Sequence, residues 1–211
     1  MKATLFALFT LGMFSALVAA DTKPAPAPCC RDPLPPTTYS QRSVYSLQNT
    51  WTSDLGKTVK LDILRGRPVV LALFFTRCQH SCPIILKEMK DIENNLTKEA
   101  RARTDFVLVS IDLMHDTVET LSAYRAKNQL PTERWMLLRG ERSDVDALAE
   151  HIGFKYTPGS DFQFGHSATI SILNSDGEIV FRQAGLGVDR REAVQTLEKL
   201  KAENPTRTSN P

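Results

Sequence analysis

The 211-residue chain has no Gly-rich phosphate loop, no Ser-His-Asp spacing and no pair of carboxylates placed for acid–base work. Phosphoryl transfer from a cradled nucleotide and triad hydrolysis therefore have no anchor in it. Blocks of like charge are missing too. The 26 Lys and Arg stand interspersed with 24 Asp and Glu for a net charge of +2, which excludes a basic track for nucleic acid or for an anionic membrane surface. No internal repeat occurs, so a solenoid or propeller is excluded. Cysteine is scarce, and its four copies fall as two tight pairs, Cys29 with Cys30 and Cys78 with Cys82. Neither pair closes a long loop, so neither adds much loop entropy as a disulfide. Thiols kept for their chemistry are the better explanation. The Cys-x-x-Cys spacing of ordinary dithiol redox enzymes is absent.

What is present starts at the N-terminus. Lys2 precedes an apolar stretch from Ala3 to Ala20 that closes on Val18-Ala19-Ala20, the pattern of a secretory signal peptide. An uncleaved anchor is the alternative, weakened by Thr4, Thr10 and Ser15. No Leu-x-x-Cys marks a lipoprotein boundary. Either version predicts an exported, periplasmic protein, soluble or N-terminally anchored. Residues 21–43 are rich in Pro and Ala and read as an extended tether carrying Cys29-Cys30. One domain is expected over 44–202, and a polar disordered tail over 203–211.

Within that domain Trp51 to Leu64 alternates around Asp54-Leu55-Gly56-Lys57, which predicts a β-hairpin. Val69–Phe75 is a continuous apolar run, the mark of a strand covered on both faces. Ile85, Met89, Ile92 and Leu96 recur at helical spacing after Pro83. A second strand is predicted over 106–111, and Asp116 with Glu119 suggests a capping box opening a helix through Leu121 and Tyr124. A third strand, 135–138, precedes a helix with Ser143 and Asp146 at its cap. Two runs, 168–173 and 178–181, flank Asn174-Ser175-Asp176-Gly177, a hairpin signal, and a last helix is expected over 189–201. The order βαβαβαββα predicts an α/β fold, a thioredoxin-like three-layer sandwich with an added N-terminal β-hairpin. Its chemistry belongs at the carboxyl end of the Val69–Phe75 strand.

That position holds Cys78-Gln79-His80-Ser81-Cys82-Pro83. With Cys82 at the helix start and Cys78 about one turn before it, both sulfurs can converge, and the positive end of the helix favours thiolate over thiol. Two such groups can be oxidised to a disulfide or can hold a soft cation. His166, in Phe164-Gly165-His166-Ser167, precedes the strand at 168–173, and in a thioredoxin-like order that loop passes beside the cysteine motif. Two thiolates and one imidazole suit Cu(I) and accept Cu(II), whereas Zn(II) usually takes a fourth ligand.

The motif Val69–Pro83, then Val109-Ser110-Ile111-Asp112 with Asp116-Thr117, then Gly165-His166-Ser167, then Asp176-Gly177-Glu178-Ile179-Val180 resembles the Sco/SenC family of copper-binding proteins linked to cytochrome c oxidase assembly. The resemblance runs from about Trp51 to Gly187. It implies that Cys78, Cys82 and His166 bind copper, as Cu(I) or Cu(II). It also implies that the chain delivers copper to, or reduces, the dinuclear copper site of an oxidase subunit, or serves another copper acceptor. The chain departs from the family in two places. Gln79, His80 and Ser81 stand where Pro and often an acidic residue are usual, and Leu113 follows the second-strand aspartate in place of Pro. His80 thereby becomes a candidate extra ligand or gate, against the plainer reading of a solvent-facing polar residue.

Cys29-Cys30 could capture copper and pass it to the folded site or exchange disulfides with Cys78 or Cys82. The same pair could instead form a strained vicinal disulfide or a crosslink to another chain. His115 precedes a helix cap and His151 ends a helix, a routine electrostatic arrangement. Met89 and Met136 fall on apolar faces as core residues. A copper metallochaperone is the leading expectation, and a thiol-disulfide oxidoreductase acting on partner cysteines is the alternative. In the latter Cys78 attacks and Cys82 resolves. A thiol peroxidase is weaker, since nothing marks a peroxide pocket.

Overall fold

Six consecutive buried residues, Val69–Phe74, need cover on both faces, and they form the central strand (β3) of a seven-stranded sheet. The structure is a computed structural model that describes residues 26–157, 165–166 and 168–201, with the backbone alone at 157, 165 and 166. The expected signal sequence over 1–20 and the tail over 203–211 lie outside those residues. No helix of the described residues is long and apolar enough to cross a membrane.

In chain order the elements are β1 (Trp51–Ser53), β2 (Thr58–Val59), β3, α1 (Ser81–Asn95), α2 (Lys98–Arg103), β4 (Asp105–Ser110), α3 (Val118–Asn128), β5 (Trp135–Arg139) and α4 (Arg142–His151). After these come β6 (Tyr156–Thr157), β7 (Gly165–His166), β8 (Thr169–Leu173), β9 (Ile179–Ala184) and α5 (Arg191–Lys199). The sheet order is β2-β1-β5-β4-β3-β8-β9. β3, β4 and β5 run parallel, and β8 and β9 add an antiparallel hairpin on one side, β1 and β2 another on the other. This is the expected thioredoxin-like sandwich with its N-terminal hairpin.

Strand register decides which helices share a face. Phe74, Ser110, Phe106 and Trp135 lie on one side of the sheet by pairing. Tyr124 of α3 packs on Phe74 at 5.2 Å, and Glu93 of α1 accepts from the Trp135 indole at 2.8 Å, so α1 and α3 cover that side. Leu73, Val109, Leu138 and Ser53 point the other way. Trp51, on the same parity as Ser53, packs on Gly140, two residues before α4, and Asp144 in the first turn of α4 borders the same glycine, so α4 covers that opposite side.

Three expectations need correction, and one helix is an addition. Leu61–Leu64 leaves the predicted hairpin as a 3-10 turn. α2 lacked any recognisable period and was not expected; Thr97 caps it by accepting from the Ala100 amide. α4 begins at Arg142 with no side-chain cap, so Ser143 and Asp146 do not start it. Most usefully, Asp116 is not the cap of α3. Thr117 is, accepting from the Thr120 amide, and Asp116 turns inward.

The Pro-rich segment is extended but held down over its described part. Arg31 grips both carboxylate oxygens of buried Asp105, which Arg67 also reaches at 3.1 Å. Farther on, Arg65 donates to the Pro35 carbonyl at 2.7 Å, and the Tyr39 hydroxyl donates to Asp62 at 3.2 Å.

Candidate metal centre

β3 delivers the chain to the thiols. Cys78 follows one turn after its end, with the Cys78 amide donating to the Phe75 carbonyl at 3.2 Å. Cys82 is the second residue of α1, and its amide donates to the Cys78 sulfur at 3.3 Å. The two cysteines therefore meet at a helix N-terminus, with that amide aimed at the Cys78 sulfur. The Ser81 hydroxyl adds a contact at 3.6 Å. Cys78 is half-buried, and Cys82 is only 2 % exposed. All four cysteines carry thiols.

The expected thiolate field holds only in part. Burial pushes the Cys82 thiol well above its ordinary range, and the neighbouring Cys78 adds to the effect. Desolvation thus outweighs the helix N-terminus for the inner sulfur. Burial, and then Cys82 and Cys78 beside it, likewise push the Tyr124 phenol up, so it is a neutral aromatic wall next to the pair.

Two acids from the loop after β4 hold the turn that carries Cys78. Buried Asp116 accepts from the Thr76 amide at 3.1 Å, the Thr76 hydroxyl at 2.5 Å and the Ser110 hydroxyl at 2.5 Å. Asp112 accepts from Arg77 Nη2 at 2.7 Å and Nε at 3.2 Å. His115 Nδ1 lies 2.8 Å from Asp112 Oδ1 and 2.6 Å from Arg77 Nη2. Burial alone raises the Asp112 carboxyl, but the His115 and Arg77 hydrogen bonds and charges overturn that and hold it low. Residue-by-residue reading placed Asp116 at a cap and gave Asp112 and Arg77 no role. The signal was a Ser and two acids clustered at the end of a buried strand.

α1 is itself fixed. Its buried Glu88 accepts from the Gln183 amide group at 2.9 Å and from the Gly187 amide at 2.6 Å, tying it to β9 and the loop beyond. Glu93 binds Arg134 and Trp135, and Lys90 donates to the Asn128 carbonyl at the end of α3.

His166 lies in β7, which pairs with β6 so that Tyr156 faces His166. β8 runs antiparallel to β3 with Ile170 opposite Ala72, so the chain just before β8 arrives at the edge of the sheet where β3 leaves it. The backbone of His166 stands three residues before the start of β8, and its side chain lies outside what is described. Among the described residues no three His, Cys, Asp or Glu side chains gather as a metal set. His80 is exposed and precedes α1 without capping it through its side chain. His151 is engaged elsewhere; its Nε2 donates to the Arg42 carbonyl at 3.0 Å. Met89 and Met136 are fully buried core residues.

A family model described as SCO1/SenC matches residues 38–202, well over half of the chain. The chain belongs to the SCO1/SenC family. A candidate copper-binding protein of Stutzerimonas stutzeri is 26% identical over 122 residues, 56% of this chain, and the match spans 58% of that relative's length, under two thirds. Solved structures of the family share the fold. A SCO1/SenC family lipoprotein from Bacillus anthracis aligns at TM-score 0.65 and 23% identity, covering 72% of this chain and 91% of that one. Bradyrhizobium japonicum ScoI with copper bound aligns at 0.60 and 22%, covering 72% and 96%. BsSco, in which a disulfide switch was identified and whose family is described as cytochrome c oxidase assembly proteins, aligns at 0.61 and 23%, covering 72% and 92%. Two thiols meeting at one helix start fit that soft metal by donor chemistry, since sulfur ligands select Cu(I) over hard cations.

Proposed function

We propose that this SCO1/SenC family member is an exported copper metallochaperone that holds its cargo by Cys78, Cys82 and His166 and passes it to the copper-site subunit of cytochrome c oxidase or another copper acceptor. The observation that carries the reading is the pairing of the two thiols at the start of α1, with the Cys82 amide 3.3 Å from the Cys78 sulfur. Copper bound in ScoI and the oxidase-assembly description of the BsSco family support the cargo and the partner. A lipoprotein among the relatives and the signal-like N-terminus support export to the periplasm. Cys78, the less buried sulfur, is the exit ligand, and Cys82 stays behind as the inner one. Transfer proceeds by ligand exchange, with a partner thiolate replacing Cys78 first.

The same burial contrast favours one second reading, a thiol-disulfide oxidoreductase in which Cys78 attacks a partner disulfide and Cys82 resolves the mixed disulfide. His166 separates the two. The test is anaerobic Cu(I) titration with copper-edge X-ray absorption on the full chain carrying Cys29→Ser and Cys30→Ser, with and without His166→Ala. One copper with two sulfurs and one nitrogen is expected. Loss of the nitrogen in His166→Ala should come with a fall in affinity beyond the roughly 100-fold typical of losing an outer-shell partner. No tight binding by the reduced chain overturns the chaperone and leaves the oxidoreductase.

A further inference from the structure

Cys29 and Cys30 sit on a 3-10 turn, Pro28–Cys30, closed by the Cys30 amide donating to the Ala27 carbonyl at 2.8 Å. Cys29 is 6 % exposed, with its thiol beside the Ser53 side chain, while Cys30 faces solvent. Ser53 belongs to the side of the sheet covered by α4, whereas α1, whose first turn carries Cys82, covers the other. The sheet therefore stands between the two cysteine pairs, and Arg31 clamps the outer pair in place on Asp105. In this arrangement a direct handover from Cys29-Cys30 to Cys78-Cys82 has the sheet in its way.

The two outer sulfurs lie 3.5 Å apart. Adjacent Cα atoms across a trans peptide are about 3.8 Å apart, below the roughly 4.4 Å minimum of ordinary disulfides, so closing an S–S bond here needs distortion. Bridging by a metal needs none. With metal–sulfur bonds of about 2.3 Å, sulfurs at this separation subtend an angle of about 100° at the metal. That is a bent two-thiolate site with a coordination position left open toward solvent. Among the described residues no third His, Cys, Asp or Glu completes it, so the third ligand is water or comes from a donor or acceptor. Soft thiolates of low coordination number select Cu(I).

We infer that Cys29 and Cys30 form a second, independent Cu(I) site on the face of the sheet opposite the first. Binding replaces the two thiol protons by one cuprous ion with no change of oxidation state. The site is open on the Cys30 side, where an exogenous ligand enters and leaves. A chain so built carries two cuprous ions at once.

The experiment is anaerobic Cu(I) titration of the full reduced chain against a competing chelator, with copper-edge X-ray absorption. The wild-type chain should take two equivalents. The Cys78→Ser, Cys82→Ser variant should keep one, with two sulfur neighbours, and adding Cys30→Ser, an exposed change, should lower its affinity by more than about 100-fold. The Cys29→Ser, Cys30→Ser variant should also keep one, so loss of copper there alone would count against the first site and not this one. A second readout needs no variant: Cu(I) should protect Cys30 of the wild-type chain from alkylation, read by peptide mass spectrometry. A single equivalent in the wild-type chain, none in Cys78→Ser, Cys82→Ser, or alkylation of Cys30 unchanged by copper overturns the site.

Discussion

Asp116 is buried with no cationic partner among the described residues, and three hydrogen-bond donors stand in for one. Desolvation raises its carboxyl and those donors partly offset the rise. Two of the donors belong to Thr76, two residues before Cys78, so Asp116 positions the turn that presents the outer sulfur. Asp116→Asn keeps the shape but sets an amide N–H against a donor. The expected loss is about 1–3 kcal/mol in denaturant unfolding, with a weaker grip on Cu(I) in chelator competition. Unchanged copper affinity at reduced stability would reduce Asp116 to a folding residue. Asp112 gives a pH signature. Its carboxyl is held below the ordinary value in the folded chain, so the folded state binds fewer protons than the unfolded one. The stabilisation is complete above the unfolded carboxyl pKa of about 4 and is lost as pH falls through the lower folded value. The gap in melting temperature between the wild-type chain and Asp112→Asn should therefore narrow as pH drops below about 4. A gap constant across that range would contradict the assignment.

Among the elements, α3 shows how much local geometry costs. It ends at Gln129 in the left-handed region, φ 53° and ψ 47°, the position where glycine is the usual residue. Gln129→Gly should stabilise the protein by roughly 1 kcal/mol, seen as a rise in melting temperature. α3 is also tied across the sheet edge. Its Arg125 makes a two-point contact with buried Asp54 in the loop after β1 and donates to the Trp135 carbonyl at 2.9 Å. Arg125→Ala leaves that carboxylate buried and uncompensated, with an expected loss of about 3–5 kcal/mol in chemical denaturation. Helix periods were readable along the chain because Ile85, Met89 and Ile92 repeat on one buried face. The caps were less so. Asp116 and Ser143 have the right chemistry for a cap, but Asp116 has better partners inside, and α4 starts two residues too early for Ser143 to cap it.

For the molecule as a whole, the Pro-rich segment decides how far the two thiol pairs can communicate. Arg31 is its main clamp, and Arg67 stays on Asp105 when Arg31 is removed. Arg31→Ala should speed limited proteolysis within 26–43 while the melting temperature of the domain moves little. Cleavage no faster than in the wild-type chain would show that the segment is held by its other contacts. The amino-acid sequence by itself determined the order of the main strands and helices, the buried central strand, the thiol pair at its carboxyl end and the family, because apolar period and cysteine spacing are local properties, whereas the short α2 and the β6–β7 pair carry no such period. It could not determine that Asp116 supports the Cys78 turn, that burial raises the Cys82 thiol, or that the sheet separates Cys29-Cys30 from Cys78-Cys82. Those depend on which distant side chains share a face and exclude water, and only tertiary packing sets that.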